Sequence, residues 1–157
     1  MLKSDRLLGK IMSKKIRLGI SSCLLGNNVR YNGGHHLDKF ITGTLGRYVE
    51  FVSICPEVEC GLGVPRETLR LVGSANAPRL MTSRSKIDHT EKMQKWTAQK
   101  IQELEKEDLQ GFIFKSKSPS SGMERVKIYH ADKSGLAGSG SGIGREDNPF
   151  CRGAQRV

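Results

Sequence analysis

Hydrophobic and polar residues follow two different periods along this chain. Short runs that alternate with polar residues, or that are rich in β-branched and aromatic ones, predict strands at residues 15–23, 49–55, 109–114 and, as an edge strand, 126–131. Apolar residues at helical spacing predict helices at 37–48 and 88–107, the second starting with a capping arrangement of Asp88 and Glu91. Strands alternating with helices predict a three-layer, Rossmann-like α/β sandwich with a mainly parallel sheet.

Glycine, proline and small polar residues interrupt this pattern. They predict a loop at 24–34 and a mixture of small strands and loops at 61–86. From Ser134 onward glycine, serine and charged residues dominate, so little packing is expected there. The predicted organisation is an N-terminal extension, one domain and a flexible or truncated tail, at residues 1–13, 14–133 and 134–157.

The length of 157 residues suits one domain. No apolar run reaches the roughly 18 residues of a membrane span, and the first residues lack the apolar core of a signal peptide. The sequence therefore predicts a cytoplasmic protein with no membrane partner. Its four cysteines are then expected to be reduced thiols, metal ligands or redox groups rather than disulfides.

The net charge of +10 indicates an affinity for anions. RNA, nucleotides or another anionic molecule would suit such a field, and so would a simple requirement for solubility. An RNA- or nucleotide-binding module is therefore one function that the sequence allows.

Three cysteines lie near the predicted ends of strands. Cys23 ends the first strand, Cys55 ends the second, and Cys60 follows five residues later. Ligands of parallel α/β sheets bind beyond these carboxyl ends, where the serine-rich residues 118–121 are also predicted. One such cysteine is equally well explained as a small buried hydrophobe. Three of them favour a metal: structural zinc takes four protein ligands, whereas an iron–sulfur cluster held by three leaves an iron open.

Three separated motifs carry a family resemblance. They are Ser-Ser-Cys-Leu-Leu-Gly with Val-Arg-Tyr-Asn-Gly-Gly within residues 21–34, Cys-Pro-Glu-Val-Glu-Cys-Gly-Leu-Gly-Val-Pro-Arg at 55–66, and Phe-Lys-Ser-Lys-Ser-Pro-Ser-Ser-Gly at 114–122. In this order, over about residues 14–142, the motifs resemble the TudS-like thiouracil desulfurases, long catalogued as a bacterial domain of unknown function. They are closest to the version found in two-domain relatives.

The resemblance implies a fold, a cofactor and a reaction. The fold is Rossmann-like, and the cofactor is a 4Fe-4S cluster held by three cysteines. The reaction is the non-redox hydrolysis of a thiolated uracil, or a related small thiolated base or nucleoside, which releases hydrosulfide and leaves the oxo base. A structural metal-binding protein without turnover is the alternative that the cysteines leave open.

The motifs also imply the cluster ligands. Cys23 and Cys55 match two of the family's ligand cysteines. The third ligand of single-domain members is the cysteine of Ser-Pro-Ser-Cys-Gly, a position that Ser121 occupies here. Cys60 is predicted to replace that ligand, with Ser121 itself or an external ligand as the alternative.

The candidate acids are two carboxylates that lie close in sequence to the predicted cluster ligand Cys55. Alternation along residues 49–55 places Glu50 on the face of Val52 and Ile54, so Glu50 is expected to be buried. Glu57 is the second candidate, although it would also serve by accepting backbone hydrogen bonds in its turn. Ser118 is predicted to assist catalysis.

Two further residues are predicted to bind the substrate. They are Arg30, in the loop that follows the first strand, and Ser121, in the serine-rich segment.

Overall fold

A computed structural model describes residues 15–131 and 135–143 of the chain. Within them the strands are β1 (Ile16–Ser21), β2 (Val49–Ile54), β3 (Leu69–Ser74), β4 (Ala77–Thr82), β5 (Gly111–Ile113), β6 (Val126–Tyr129) and β7 (Leu136–Gly140). The helices are α1 (Lys39–Gly43), α2 (Pro56–Glu59) and α3 (Thr90–Glu105), with single 3-10 turns at Ser22–Leu25 and Leu45–Arg47. The predicted α/β class is confirmed.

The strands form two sheets. The first is parallel, in the order β2-β1-β5, and its register places Ile20 of β1 between Ser53 of β2 and Ile113 of β5. The second has the order β4-β3-β6-β7, with β3 parallel to β6 and antiparallel to β4. The predicted parallel sheet is therefore present, and a mixed sheet accompanies it.

Each sheet has its own core. Ile20, Cys23, Leu24 and Ile41 are buried together beside the first sheet. The second core contains the buried residues Cys60, Leu71, Leu80, Met93, Val126 and Ile128. Gly19 allows β5 to lie close to β1, because a Cβ atom there would come within 2.2 Å of the Phe112 ring.

Helix α3 confirms the helix predicted at 88–107, with ends that lie inside those limits. It buries Met93, Thr97, Ile101 and Leu104, which recur on one helical face. The predicted capping box is absent. Asp88 instead accepts the Thr90 N–H at 2.9 Å, and Glu91 pairs with Lys95 at 2.7 Å.

The helix predicted at 37–48 is wrong in length. Helix α1 covers five residues and is capped by Asp38, whose Oδ1 atom accepts the N–H groups of Phe40 and Ile41 at 3.0 Å. Gly43 ends the helix, and a 3-10 turn follows. Glycine weakens a helix because it loses more backbone entropy than other residues on folding.

The expectation of little packing after Ser134 is wrong for residues 136–143. Strand β7 pairs antiparallel with β6, so β6 lies inside the sheet and not at its edge as predicted. Glycine permits the close approach: a Cβ at Gly142 would lie 2.7 Å from the backbone nitrogens of Ser121 and Gly122. The segment predicted as an N-terminal extension, 1–13, and Cys151 lie outside the described residues.

Among the described residues, no helix combines the length and apolar composition that a membrane span requires.

Candidate metal and substrate site

One cavity lies where the three parallel strands β1, β2 and β5 end. Its volume is about 230 Å³, just below the roughly 300–1,000 Å³ of pockets for drug-sized ligands, so it suits a small heterocycle. Six of the predicted site residues line it: Cys23, Arg30, Cys55, Glu57, Ser118 and Ser121. The convergence of three remote segments at one sheet edge, predicted from the strand pattern, is present.

Cys23 is held by the turn that follows β1. Its backbone carbonyl accepts the N–H of His36 at 2.9 Å and that of Gly26 at 3.3 Å. Gly26 adopts a φ of 90°, a left-handed conformation that favours glycine. The chain therefore reverses directly after Cys23 and leaves its largely buried thiol on the cavity wall.

Cys55 is held at the junction of β2 and α2. Pro56 begins the short helix, as its fixed φ angle favours at a first helical position. The Cys55 N–H donates to Oε1 of Glu59 at 2.9 Å. Its Sγ atom lies 3.5 Å from Oε2 of Glu57.

Burial governs the protonation of both thiols. It raises the pKa of Cys23, although Lys115 opposes the change. Burial, followed by the charge of Glu57, raises the pKa of Cys55 to about 12. Without a bound cation both thiols therefore carry their protons at neutral pH, whereas a coordinated metal ion would deprotonate them.

A chain of hydroxyl groups connects the cavity wall to Glu57. Ser120 donates a hydrogen bond to Oε1 of Glu57, and the Oγ atoms of Ser118 and Ser120 are 3.0 Å apart. Ser121 donates to Oγ of Ser118 at 3.3 Å. Because the hydroxyl hydrogen of Ser120 is used in the hydrogen bond to Glu57, Ser118 donates to Ser120, and the three hydroxyl groups donate in sequence toward the carboxylate.

Arg66 holds the other side of Glu57. Its Nη2 atom lies 4.0 Å from Oε2 of Glu57, and the side chains are only 11% and 14% exposed. Its Nη1 atom donates to the carbonyls of Val29 and Gly63 at 3.0 and 2.9 Å. Arg66 therefore ties three segments of the site together.

Sequence reasoning did not assign Arg66 or Ser120 to the site. Both lie within the motifs that carry the family resemblance. Their place in these motifs was the sequence signal that could have assigned them to the site. Only the fold shows that both residues contact Glu57.

Cys60 is not brought to the cavity. It is buried in the core of the second sheet, and its thiol donates to the backbone carbonyl of Glu57 at 3.4 Å. Cys55 and Cys60 flank helix α2, and five steps of about 100° each place their side chains about 140° apart around its axis, on different sides. The proposed replacement ligand therefore lies apart from Cys23 and Cys55.

Glu50 is exposed, so the expectation that it is buried is wrong. Its side chain is 57% exposed and pairs with Nε of Arg17 at 3.2 Å. Strand β2 is an edge strand of its sheet, and Glu50 does not line the cavity. Of the two candidate acids, only Glu57 lies at the site.

The donor atoms on the cavity wall are two thiols and several oxygens. Within residues 15–131 and 135–143, no three His, Cys, Asp or Glu side chains group as metal ligands. Cys23 and Cys55 are free thiols, and Ser121 lines the same cavity. This set fits an iron–sulfur cluster bound by two thiolates and completed by an oxygen donor or an external ligand.

Cations surround the same cavity. Arg30, Lys115 and Lys117 line it together with Arg66. The guanidinium of Arg30 lies 5.7 Å from the centroid of the Tyr31 ring, a cation–π distance. The positive charge of this lining therefore favours an anionic or electron-rich ligand.

Three comparisons with known proteins show what this chain is similar to. The profile of the family described as 2-thiouracil desulfurase matches residues 18–146. An uncharacterized protein of Bacillus subtilis (strain 168), YbbK, is 30% identical over 129 residues, which cover 79% of this chain and 83% of that protein. The solved structure of a 4Fe-4S-dependent thiouracil desulfidase, TudS, is 25% identical and superposes with a TM-score of 0.65 over 84% of this chain and 83% of its own.

Proposed function

Because the chain belongs to the 2-thiouracil desulfurase family, we propose that it hydrolyses the carbon–sulfur bond of thiouracil or a related thiolated base or nucleoside, with an iron–sulfur cluster as cofactor. The observation that carries this proposal is the pairing of two buried thiols, Cys23 and Cys55, with Glu57 on one small cavity. The structural relative supports the cofactor, since it is a 4Fe-4S-dependent enzyme.

Cys23 and Cys55 are the proposed thiolate ligands. Ser121 is the proposed third donor, since it faces the same cavity and Cys60 does not. When bound, such a cluster would supply a Lewis-acidic iron able to polarise the carbon–sulfur bond of the substrate.

Glu57 is the proposed acid–base residue. It lies next to Cys55 and takes a proton from the water that attacks the thiocarbonyl carbon. It returns that proton to the departing sulfur. The carbon–sulfur double bond is replaced by a carbon–oxygen double bond. One water proton leaves with the sulfur as hydrosulfide, the second is lost to solvent from the hydroxyl group of the adduct, and no redox state changes.

Three residues assist in this proposal. Ser120 and Arg66 hold the two oxygens of Glu57 and so fix the direction of its proton. Arg30 places a positive charge on the wall, where it binds an electron-rich thiolated ring.

Anaerobic reconstitution with iron and sulfide tests the proposal. The loaded chain is mixed with thiouracil, thiouridine or thiolated RNA, and the near-ultraviolet absorbance of the thiocarbonyl is followed together with released sulfide. We expect the absorbance to fall and one sulfide to appear for each base converted. An unchanged absorbance on all three substrates, or a protein that purifies with zinc and takes up no iron, would contradict it.

RNA binding is a second candidate, favoured by Arg30, Lys115 and Lys117 on the cavity wall. Phosphate contacts of this kind weaken steeply with salt, because binding releases counterions. A binding module would show a steep loss of affinity for RNA between low and physiological salt and no sulfide release. Turnover of a free base with no measurable RNA affinity would exclude it.

A further inference from the structure

Glu59 joins the turn that carries Cys55 to helix α3. One of its carboxylate oxygens, Oε1, accepts the backbone N–H of Cys55 at 2.9 Å. The other, Oε2, lies 3.0 Å from Nζ of Lys100 on α3. A single carboxylate therefore connects a cavity-lining cysteine with the longest helix of the described chain.

The turn depends on this contact because it is short. Helix α2 has four residues, and Cys55 at its N-cap makes no side-chain capping hydrogen bond. The backbone N–H of Glu59 donates to the Cys55 carbonyl at 2.9 Å. Two hydrogen bonds between the same two residues, one through each peptide group of Cys55, fix its backbone and so the direction of its Cα–Cβ bond.

Lys100 restrains the carboxylate from the other side. Its side chain is 23% exposed and that of Glu59 is 31% exposed, so water screens the pair only in part. Lys100 also bonds Oε2 of Glu103 at 3.1 Å, which holds its ammonium group against α3. With Pro56 and Ser121, it lines a second cavity of about 40 Å³ directly behind the cysteine turn.

We propose that Glu59 and Lys100 are positioning residues, which hold the Cys55 thiolate in the orientation that binds the cluster. This inference rests on the proposed role of Cys55 as a cluster ligand. Neither residue lines the main cavity, so neither contacts the substrate there. They act through the backbone of Cys55.

The first test uses the iron-free, full-length chain and needs no cofactor. Hydrogen–deuterium exchange of the Cys55 amide is compared in the wild type, Glu59→Ala and Glu59→Gln. A hydrogen bond to a charged acceptor is stronger than one to a neutral acceptor, so exchange is expected to accelerate about tenfold or more in Glu59→Ala. The glutamine keeps a carbonyl acceptor and should retain most of the protection. Equal exchange in wild type and Glu59→Ala would overturn the inference.

The second test uses the iron-loaded chain. Iron loss to a chelator and the visible absorption of the cluster are measured in Glu59→Ala, Glu59→Gln and Lys100→Met. Faster iron loss and a changed spectrum are expected for Glu59→Ala, a smaller change for Lys100→Met, and values near the wild type for Glu59→Gln. Glu91→Ala is the matched control, because Glu91 pairs with Lys95 on the same helix and not with Lys100.

The two proposals fail in different ways. A wild-type chain that takes up no iron would contradict the proposed function, and with it the role of Glu59 toward a cluster. If the wild type takes up iron, and Glu59→Ala then loses iron at the same rate as the wild type and has the same spectrum, only the positioning role is overturned. Thermal unfolding of each variant separates a local change at Cys55 from general loss of stability.

Discussion

Oε2 of Glu57 lies 3.5 Å from Sγ of Cys55, inside the cavity that both residues line. Ser120 bonds the other oxygen of the same carboxylate. The proposed acid–base residue is therefore also close to whatever the sulfur of Cys55 helps to bind. Glu57 and Cys55 lie on one turn of chain, two residues apart.

Glu57→Gln is expected to lower the rate of desulfuration by about 10²- to 10⁴-fold, the usual contribution of a general acid–base group. Glutamine preserves the acceptor for Ser120, so iron content should stay unchanged. Steady-state turnover of thiouracil, with iron analysis of the same samples, measures both. Glu50→Gln is the control, because Glu50 is exposed and outside the cavity. A Glu57→Gln enzyme with normal turnover would remove Glu57 from the mechanism.

Cys60→Ala is expected to leave bound iron unchanged and to lower the free energy of unfolding. Cys60 packs among Leu71, Leu80 and Met93, so removing its sulfur costs about 1 kcal/mol of packing. Cys55→Ala is the matched comparison and should lose the iron. Iron analysis and urea denaturation of both variants measure the two effects. Loss of iron in Cys60→Ala would show that Cys60 is a cluster ligand after all.

Ser121→Cys is expected to slow the loss of iron to a chelator, because a thiolate binds iron more strongly than a hydroxyl group. Ser121 lines the cavity with Cys23 and Cys55, so the new thiol would face the same space. Ser116→Cys is the control, since Ser116 is exposed on the same loop and outside the cavity lining. Equal iron retention in both variants would show that position 121 does not reach the cluster.

The metal-free chain is expected to lose stability above about pH 9. The Cys55 thiol, ordinarily near 9.0, has its pKa raised to about 12 in the fold by burial and then by Glu57. Unfolding lets it ionise, so its contribution is intact below pH 9 and is lost as the pH rises toward 12, at about 1.4 kcal/mol per pH unit. Urea denaturation at pH 8, 9 and 10 should show a shallower decline for Cys55→Ser. If stability declines with pH equally steeply in the wild type and in Cys55→Ser, the raised pKa of Cys55 is contradicted.

Gly142→Ala is expected to destabilise the protein by about 1–3 kcal/mol and to disturb the serine loop. A Cβ there would lie 2.7 Å from the backbone nitrogens of Ser121 and Gly122, and backbone atoms cannot move aside as the end of a flexible side chain can. Gly138→Ala is the control, because nothing lies within 4 Å of its Cβ position. Thermal unfolding compares the two variants. Equal stability would show that residue 142 does not pack on the loop.

The segment beyond Ser134 shows why its composition led to a wrong prediction of little packing. Its glycines and serines lack apolar side chains, which is typical of a linker. In the fold, β7 supplies backbone hydrogen bonds to β6, and Gly142 donates to the carbonyl of Gly122 at 2.7 Å. Such bonds depend on the neighbouring strand and loop, which are remote in sequence, so composition contains no sign of them.

The sequence by itself determined the α/β class, helix α3 and the meeting of Cys23, Cys55 and residues 118–121, because strand periodicity places strand ends at one sheet edge. Only the tertiary structure decided which side chains face the cavity. It exposed Glu50 on an edge strand, buried Cys60 in the other core and joined Glu57 to Ser120. Spacing along the chain gives only the separation of two residues in sequence. The direction in which their side chains point depends on packing against strands and helices that are distant in sequence.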